Sequence, residues 1–328
     1  HSMKRSLSGI QPSGILHLGN YFGAIEQFVR MQEEYEGFYF VADYHSLTSL
    51  TKPQDLRENT KNIILDYLSL GLNPEKSTLF LQSDVPEHVE LYWLLCNVAP
   101  VGLLERAHSY KDKLAKGFTP NMGLFNYPAL MAADILIYDA DVVPVGKDQK
   151  QHLEMTRDIA MKFNQQYEVD FFHLPEPLIL DKVAVVPGTD GQKMSKSYGN
   201  TIQMFAPKKQ LKQQVMSIVT DSTPLEEPKN PDNNIAKLYA LFTSIEKQNE
   251  MKEKFLAGNY GYGHAKTELL NTILEYFGQA REKREALEQN PKYVEDILQE
   301  GAKKARTIAS KKVQEAKEIV GLLGNIYR

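Results

Sequence analysis

Leu7-Ser8-Gly9-Ile10-Gln11-Pro12-Ser13-Gly14-Ile15-Leu16-His17-Leu18-Gly19-Asn20 joins a short strand-like run to a helix through a loop that carries Pro12, Gly14 and Gly19. A strand, a glycine-bearing turn and a helix are the opening steps of a βαβ unit. Gly14 and Gly19 remove the side chains that would hold a planar base and its ribose away from the backbone. The helix N-terminus beyond them offers free N–H groups and a partial positive charge, which suits phosphate. His17 would donate to such an anion through a ring nitrogen and Asn20 through its amide; a buried structural histidine is the alternative for His17. Gln11 and Ser13, just upstream, could contact the same ligand.

Outward from this stretch the alternation continues. Tyr21, Ile25, Phe28 and Val29 fall on one helical face, and Gly37 is expected to stop that helix before the strand Phe38-Tyr39-Phe40-Val41-Ala42. Thr51 with Gln54 reads as a capping box, with Pro53 in the first turn. Leu56, Ile63, Ile64 and Tyr67 then form a buried stripe up to Gly71, and Thr78-Leu79-Phe80-Leu81 is the next strand. Asp84 with Glu87 reads as a second capping box, opening the helix that carries Trp93. Residues 85–140 read as an insertion whose apolar face is more than it can bury alone, so it is expected to pack on the parent domain or on another chain. Asp141-Val142-Val143 returns to the sheet, and Asp148 to Gln165 reads as helix.

Beyond about Tyr198 the strand signal fades, and Leu238, Leu241, Phe242, Leu269, Ile273 and Phe277 recur at helical spacing. The pattern predicts an α/β protein: a Rossmann-like parallel-sheet nucleotide-binding domain over 3–203, then a second, all-α-helical domain over 204–292. Residues 293–328 are expected to form a C-terminal helix that packs back on the first domain. Gly258-Asn259-Tyr260-Gly261-Tyr262-Gly263 follows no strand and lacks phosphate-loop spacing, so it reads as a turn between helices.

The 328 residues, with 42% hydrophobic and 24% charged side chains, suffice for a large core and argue against disorder. A single cysteine, Cys96, excludes a disulfide framework and a cysteine-built metal site and fits a reducing cytoplasm; within Leu91-Tyr92-Trp93-Leu94-Leu95-Cys96 it reads as a buried bystander. His1-Ser2 ahead of Met3 is expected to be an expression scar, and neither a signal peptide nor a membrane span is expected. The net charge of −4 argues against indiscriminate nucleic-acid binding, but the charge is uneven. Lys193, Lys196, Lys208, Lys209 and Lys212 have no acid among them. Lys303, Lys304, Arg306, Lys311, Lys312 and Lys317 face Glu315 alone, as a solvated helix face or as a contact for a polyanion.

Far downstream of the first motif stands Lys193-Met194-Ser195-Lys196-Ser197, on a loop opened by Pro187-Gly188-Thr189-Asp190-Gly191. Two lysines on a loop can bring ammonium groups onto a triphosphate, and the serines add hydroxyl donors. The two runs together describe an ATP site. In this order they resemble the two signatures of the class I aminoacyl-tRNA synthetases, and more closely those of the tryptophanyl-tRNA synthetases. The resemblance extends through Ser8-Gly9-Ile10-Gln11-Pro12-Ser13-Gly14, Tyr127-Pro128, Met131-Ala132-Ala133-Asp134 and Val143-Pro144-Val145-Gly146-Lys147-Asp148-Gln149. Leu7 departs from it where many members carry Phe, and His17 where some bacterial members carry Thr.

The resemblance implies that ATP is held by Gln11, Pro12, Ser13, Gly19 and Asn20, by Gly146, Lys147 and Asp148, and by Val186 with Lys193, Met194, Ser195, Lys196 and Ser197. His17, Asn20, Lys193 and Lys196 would be the catalytic groups, acting electrostatically on the phosphates, and Mg2+ would arrive with ATP, held mostly by phosphates and water. Met131 and Asp134 are three apart on a helical pattern with Tyr127 one turn earlier, so they share a face with one carboxylate in an apolar wall. An indole N–H donates and cannot accept, so an ionised Asp134 suits it; a surface salt bridge is the alternative. Val143 and Val145 would close the slot, Gln149 with Tyr127 would hold the amino group, and Leu7, Gly9 and His45 complete the expected tryptophan set. His45 stands just past a strand end, where open parallel sheets bind ligands, or else is structural.

The implied reaction is the joining of L-tryptophan to tRNA(Trp) by way of tryptophanyl-adenylate, by a cytoplasmic homodimer with no membrane attachment, with 204–292 binding the anticodon. A tyrosine-specific relative, a catalytically silent RNA-binding paralogue and a small nucleotidyltransferase are the competing readings.

Overall fold

Residues 3–49, 52–146, 150–180, 185–322, 324, 326 and 327 are described by the structure, a computed structural model. β1 (Arg5–Ile10) pairs in parallel with β2 (Glu36–Val41), in register from Arg5 opposite Glu36 to Ile10 opposite Val41. The crossover between them runs through α1 (Leu18–Asn20), a π turn (Tyr21–Ile25), α2 (Glu26–Arg30) and a 3-10 turn (Met31–Glu33). Gly37, expected to stop this helix, lies inside β2 opposite Ser6; the helix has already ended at the 3-10 turn. α3 (Asp43–Ser46) and α4 (Pro53–Ser69) lead to β3 (Thr78–Leu81), and Gly71, at φ 114°, closes α4.

Helices alone fill the span before the next strand: α5 (Glu87–Cys96), α6 (Val101–Glu105), α7 (His108–Ala115) and α8 (Met122–Leu136). β4 (Val142–Val145), α9 (Lys150–Gln166) and β5 (Glu176–Ile179) complete the sheet, which is parallel throughout in the order β3-β2-β1-β4-β5. β5 carries no sequence signal. It is an edge strand, the place where Pro177 is tolerated, and its side chains are largely exposed, so no apolar alternation marks it.

The Asp84–Glu87 capping box does not form. Thr51 lies outside the described residues, and α4 starts with Pro53 after Lys52, whose side chain does not cap it. α5 follows Pro86 without a side-chain cap, because Glu87 instead accepts hydrogen bonds from Ser310 and Arg306.

Side-chain alternation along the strands splits the core in two. Ile10, Tyr39, Val41 and Leu79 face one cluster, which includes α4 and continues into α10 (Lys208–Met216), α11 (Asn234–Tyr239), α12 (Ile245–Ala257), α13 (Tyr262–Tyr276) and α14 (Gly278–Glu288). Leu7, Phe38, Phe40 and Phe80 face the other, built with α5, α8 and α9. Residues 258–261 form the turn between α12 and α13, with Gly258 at φ 80°.

α15 (Pro291–Ile319) lies along β3, at the other edge of the sheet. The helix comes so close that a Cβ on Gly301 would stand 1.8 Å from the carbonyl oxygen of Leu79. Ala302, Ala305 and Ala309 continue the helix's small-residue face, buried in the cluster that contains Phe38 and Phe80. Cys96 is half-buried, and burial pushes its thiol pKa up. Among the described residues no helix is long and apolar enough to cross a membrane.

Candidate active site

β1 and β4 are neighbours in the sheet, but their crossovers run in opposite directions, so a crevice opens beyond their carboxyl ends. The two strands pair only at Ser6 and Val142. Past that point they part around a cavity of about 490 Å3, lined on one side by Leu7, Gly9 and Gln11 and on the other by Val143, Pro144 and Val145. His45, Tyr127, Met131 and Asp134 reach the same cavity from α3 and α8. Of the nine residues expected to hold the amino acid, eight line this cavity, and Gln149, with Lys147 and Asp148, lies outside the described residues. Gly146, half-buried, directly follows β4.

At the start of the crossover helix, His17 caps α1: its Nδ1 accepts from the Gly19 N–H at 3.1 Å, while Asn20 Oδ1 accepts from the His17 N–H at 3.0 Å. This reciprocal cap fixes chemistry as well as shape. An Nδ1 that accepts leaves the proton of a neutral ring on Nε2, and an Asn20 whose oxygen is occupied keeps its amide protons to donate. Burial lowers the His17 pKa and so favours that neutral ring.

The second motif folds onto the first. Lys196 extends over Gly14, where an added Cβ would stand 2.5 Å from its Nζ, and buried Met194 packs beside Gly19. The loop is held from below by Asn200, itself buried, which accepts from Ser195 N at 2.9 Å and donates to Asp190 Oδ1 at 2.8 Å and to Lys193 O at 3.0 Å. Met194 N donates to Val186 O at 2.8 Å, and the Leu18 N–H at the start of α1 donates to Ile202 O at 2.9 Å. Lys193, Lys196 and Ser197 remain exposed, and the hydroxyls of Ser195 and Ser197 stand 2.9 Å apart.

Asp134 is 1% exposed, so it is no surface salt bridge. Its Oδ1 meets His88 Nδ1 at 2.6 Å and Gln82 Nε2 at 2.8 Å, and its Oδ2 meets His45 Nε2 at 2.7 Å. Burial by itself would raise the carboxyl's pKa, but the histidines on either side outweigh it and hold Asp134 below the usual carboxylate range. Tyr127 bonds through its hydroxyl to Ser109 and, at 2.9 Å, to His152 Nε2. His152 also lines the cavity, and burial, with His108 and His45 nearby, lowers its pKa.

Sequence reasoning missed His88, Gln82, His152, Ser109 and Lys113, the last three of which line the cavity. Each stands on or beside an insertion helix or at a strand end, where periodicity reports burial but not a partner across the fold.

The chain matches the family described as tRNA synthetases class I (W and Y) over residues 2–316. It is 78% identical over 325 residues to the tryptophan–tRNA ligase of Fusobacterium nucleatum, across 99% of this chain and 100% of that protein. The chain belongs to the class I tryptophanyl-tRNA synthetase family. The tryptophan–tRNA ligase of Rhodopirellula baltica is 53% identical, over 97% of this chain and 99% of the relative. Among solved structures, the tryptophanyl-tRNA synthetase of Campylobacter jejuni complexed with ADP and tryptophan matches with a TM-score of 0.92 at 52% identity, covering 97% of this chain and 100% of the other.

Proposed function

We infer that the chain joins L-tryptophan to tRNA(Trp) in two steps, activating the amino acid with ATP and then esterifying the terminal ribose. The observation that carries this reading is Asp134, an ionised carboxylate on the cavity wall whose Oδ2 meets His45, in a fold that also brings Lys196 onto Gly14. Its oxygen suits an indole N–H, which can only donate. The ring would lie between Met131 and the wall formed by Leu7, Gly9, Val143 and Val145, while Tyr127 and Gln149 would orient the amino group.

Attack of the tryptophan carboxylate on the α-phosphate needs no base, since the nucleophile is already ionised and pyrophosphate leaves readily. The chain's task is electrostatic: His17 Nε2–H, the Asn20 amide, Lys193 and Lys196 stabilise charge on the phosphoryl oxygens, each such donor typically worth about 3 kcal/mol. Ser195 and Ser197 add hydroxyls, while Gln11, Pro12, Ser13, Gly19, Gly146 and Val186 shape the nucleotide's bed, and Lys147 and Asp148 extend it. This donor set is cationic and N–H-rich, which fits Mg2+ being carried by the triphosphate and water.

The reading further takes the chain as a cytoplasmic homodimer, with 204–292 meeting the anticodon. Support for the dimer comes from Val89, Trp93, Val101 and Met122, all exposed on the 85–140 insertion, Trp93 at 64%. ATP–pyrophosphate exchange with each of the twenty amino acids tests the whole: tryptophan and Mg2+ should be required and tRNA should not. Exchange driven by tyrosine in place of tryptophan would overturn the specificity, and absence of exchange with every amino acid would leave only an RNA-binding role.

A further inference from the structure

Asp134 has two oxygens with different surroundings. Oδ2 faces His45, which lines the cavity; Oδ1 faces His88 and Gln82, which do not. His88 and Gln82 are both 0% exposed, and behind His88 the Tyr138 hydroxyl lies 2.6 Å from Nε2. An ionised carboxylate only accepts, so His88 Nδ1 must carry a proton, and the ring's Nε2 shares its hydrogen bond with the Tyr138 hydroxyl. Gln82 turns its amide NH2 toward Oδ1 even though its own Oε1 then finds no partner among the described residues. Two buried donors, neither of them on the cavity wall, thus converge on Oδ1.

We propose that His88, supported by Gln82 and Tyr138, is a positioning residue that fixes the Asp134 carboxylate with Oδ2 toward the cavity and thereby sets selectivity for an amino acid bearing a ring N–H. His45 occupies Oδ2 in this structure and hands that acceptor to the indole. Without the clamp on Oδ1 the carboxylate is free to turn, and either oxygen can be lost to a pairing that excludes the ligand. The inference rests on the tryptophan reading and adds to it the residue that gives Asp134 its direction.

Isosteric replacements separate this role from packing. Asn carries an amide nitrogen near the place of His Nδ1, so His88→Asn keeps the donor to Asp134; Gln places its nitrogen near Nε2, so His88→Gln loses that donor. Pyrophosphate exchange would be measured with tryptophan and with 3-benzothienylalanine, in which sulfur replaces the ring N–H at nearly the same shape. The parent enzyme should prefer tryptophan strongly, because the analogue has no N–H to offer Oδ2 and so gains nothing there in exchange for burial beside a carboxylate.

His88→Gln should raise the tryptophan KM by about tenfold or more, leave kcat and the ATP KM within about threefold, and shrink the tryptophan-to-analogue preference by a similar factor. His88→Asn should restore most of that preference. Tyr138→Phe, which removes one hydroxyl from an intact ring, should move the preference the same way by about threefold and serves if the Gln variant does not fold. Equal behaviour of the Asn and Gln variants, or an unchanged analogue preference in both His88→Gln and Tyr138→Phe, would overturn the proposal. A parent enzyme that does not use tryptophan at all would instead overturn the function on which it rests.

Discussion

The Lys196 ammonium lies against Gly14, 2.5 Å from where a Cβ on that residue would sit, with the Lys196 Cε 3.5 Å from the same point. Nothing in the spacing of the two motifs demands this contact. It arises because Met194 is buried, Asn200 ties the loop from below, and Leu18 at the head of α1 bonds to Ile202 just beyond the loop. The lysine therefore rests on the turn that leads into α1, and the hydrogen at Gly14 is what leaves room for it.

Gly14→Ala should accordingly act through Lys196. The atom in the way is the tip of a flexible side chain, so the chain should fold normally while the ammonium moves off its seat. The maximal rate of tryptophan-dependent pyrophosphate exchange should fall by about tenfold or more, with tryptophan binding little changed, because a displaced cation costs most where charge develops. Lys196→Ala should give a loss at least as large, and the double variant little further loss. If the two losses multiply, Gly14 acts independently of the lysine.

His17→Asn should separate the cap from the chemistry. Asn is a strong N-cap whose oxygen can accept where Nδ1 does, so thermal stability should stay within about 1 kcal/mol. The Nε2–H donor is lost, so the exchange rate should fall by about a hundredfold. The same cap predicts a pH effect in the parent. Burial lowers the His17 pKa, so the unfolded chain takes the proton more readily than the folded one. The histidine's contribution is therefore complete above the ordinary value of about 6.5 and is lost as pH falls below it toward the folded value. Unfolding midpoints measured from pH 7.5 down to about 5 should fall in the parent and less steeply in His17→Asn.

The first βαβ unit and the shared face of Tyr127, Met131 and Asp134 were legible because both depend on local period, 2 for strands and 3.6 for helices. Gly37 misled because a glycine that stops a helix and one that begins a strand look alike when the break falls only a few residues away. The Asp84–Glu87 pattern failed for a different reason: the carboxylate had a partner on α15, more than two hundred residues downstream. His88 and Gln82 were invisible on the same grounds. Their importance lies in one oxygen of Asp134, which becomes their neighbour only when α5, α8 and the end of β3 converge.

Gly301→Ala tests how much of the fold depends on α15. The obstacle here is backbone, the Leu79 carbonyl at 1.8 Å, with no side chain that can swing aside. Helix or strand must shift, and every contact along Ala302, Ala305 and Ala309 shifts with it. A loss of about 3 kcal/mol or more is expected by chemical denaturation, at the upper end of overpacking costs and in spite of alanine's better helix propensity. Stability equal to the parent's would mean that α15 does not seat against β3 in solution.

The basic run on α15 is smaller than its sequence suggests. Lys312 is buried, its Nζ donating to Phe171 O at 2.8 Å and lying 3.8 Å from the centre of that residue's ring. Arg306 pairs with Glu87, and Lys317 reaches Glu90 at 4.0 Å. Lys303, Lys304 and Lys311 remain as exposed cations to meet a phosphate backbone. Each phosphate contact releases counterions and adds roughly one to the log–log slope of affinity against salt. Replacing the three with Gln should therefore lower that slope for tRNA charging by up to about three, while pyrophosphate exchange, which needs no tRNA, keeps the parent's weak salt response. Lys312→Gln should do the opposite, costing stability through a stranded carbonyl and leaving the slope alone. If the triple variant charges tRNA with the parent's full salt dependence, these lysines form a solvated face, and the backbone contacts belong to the acid-free run at Lys208, Lys209 and Lys212.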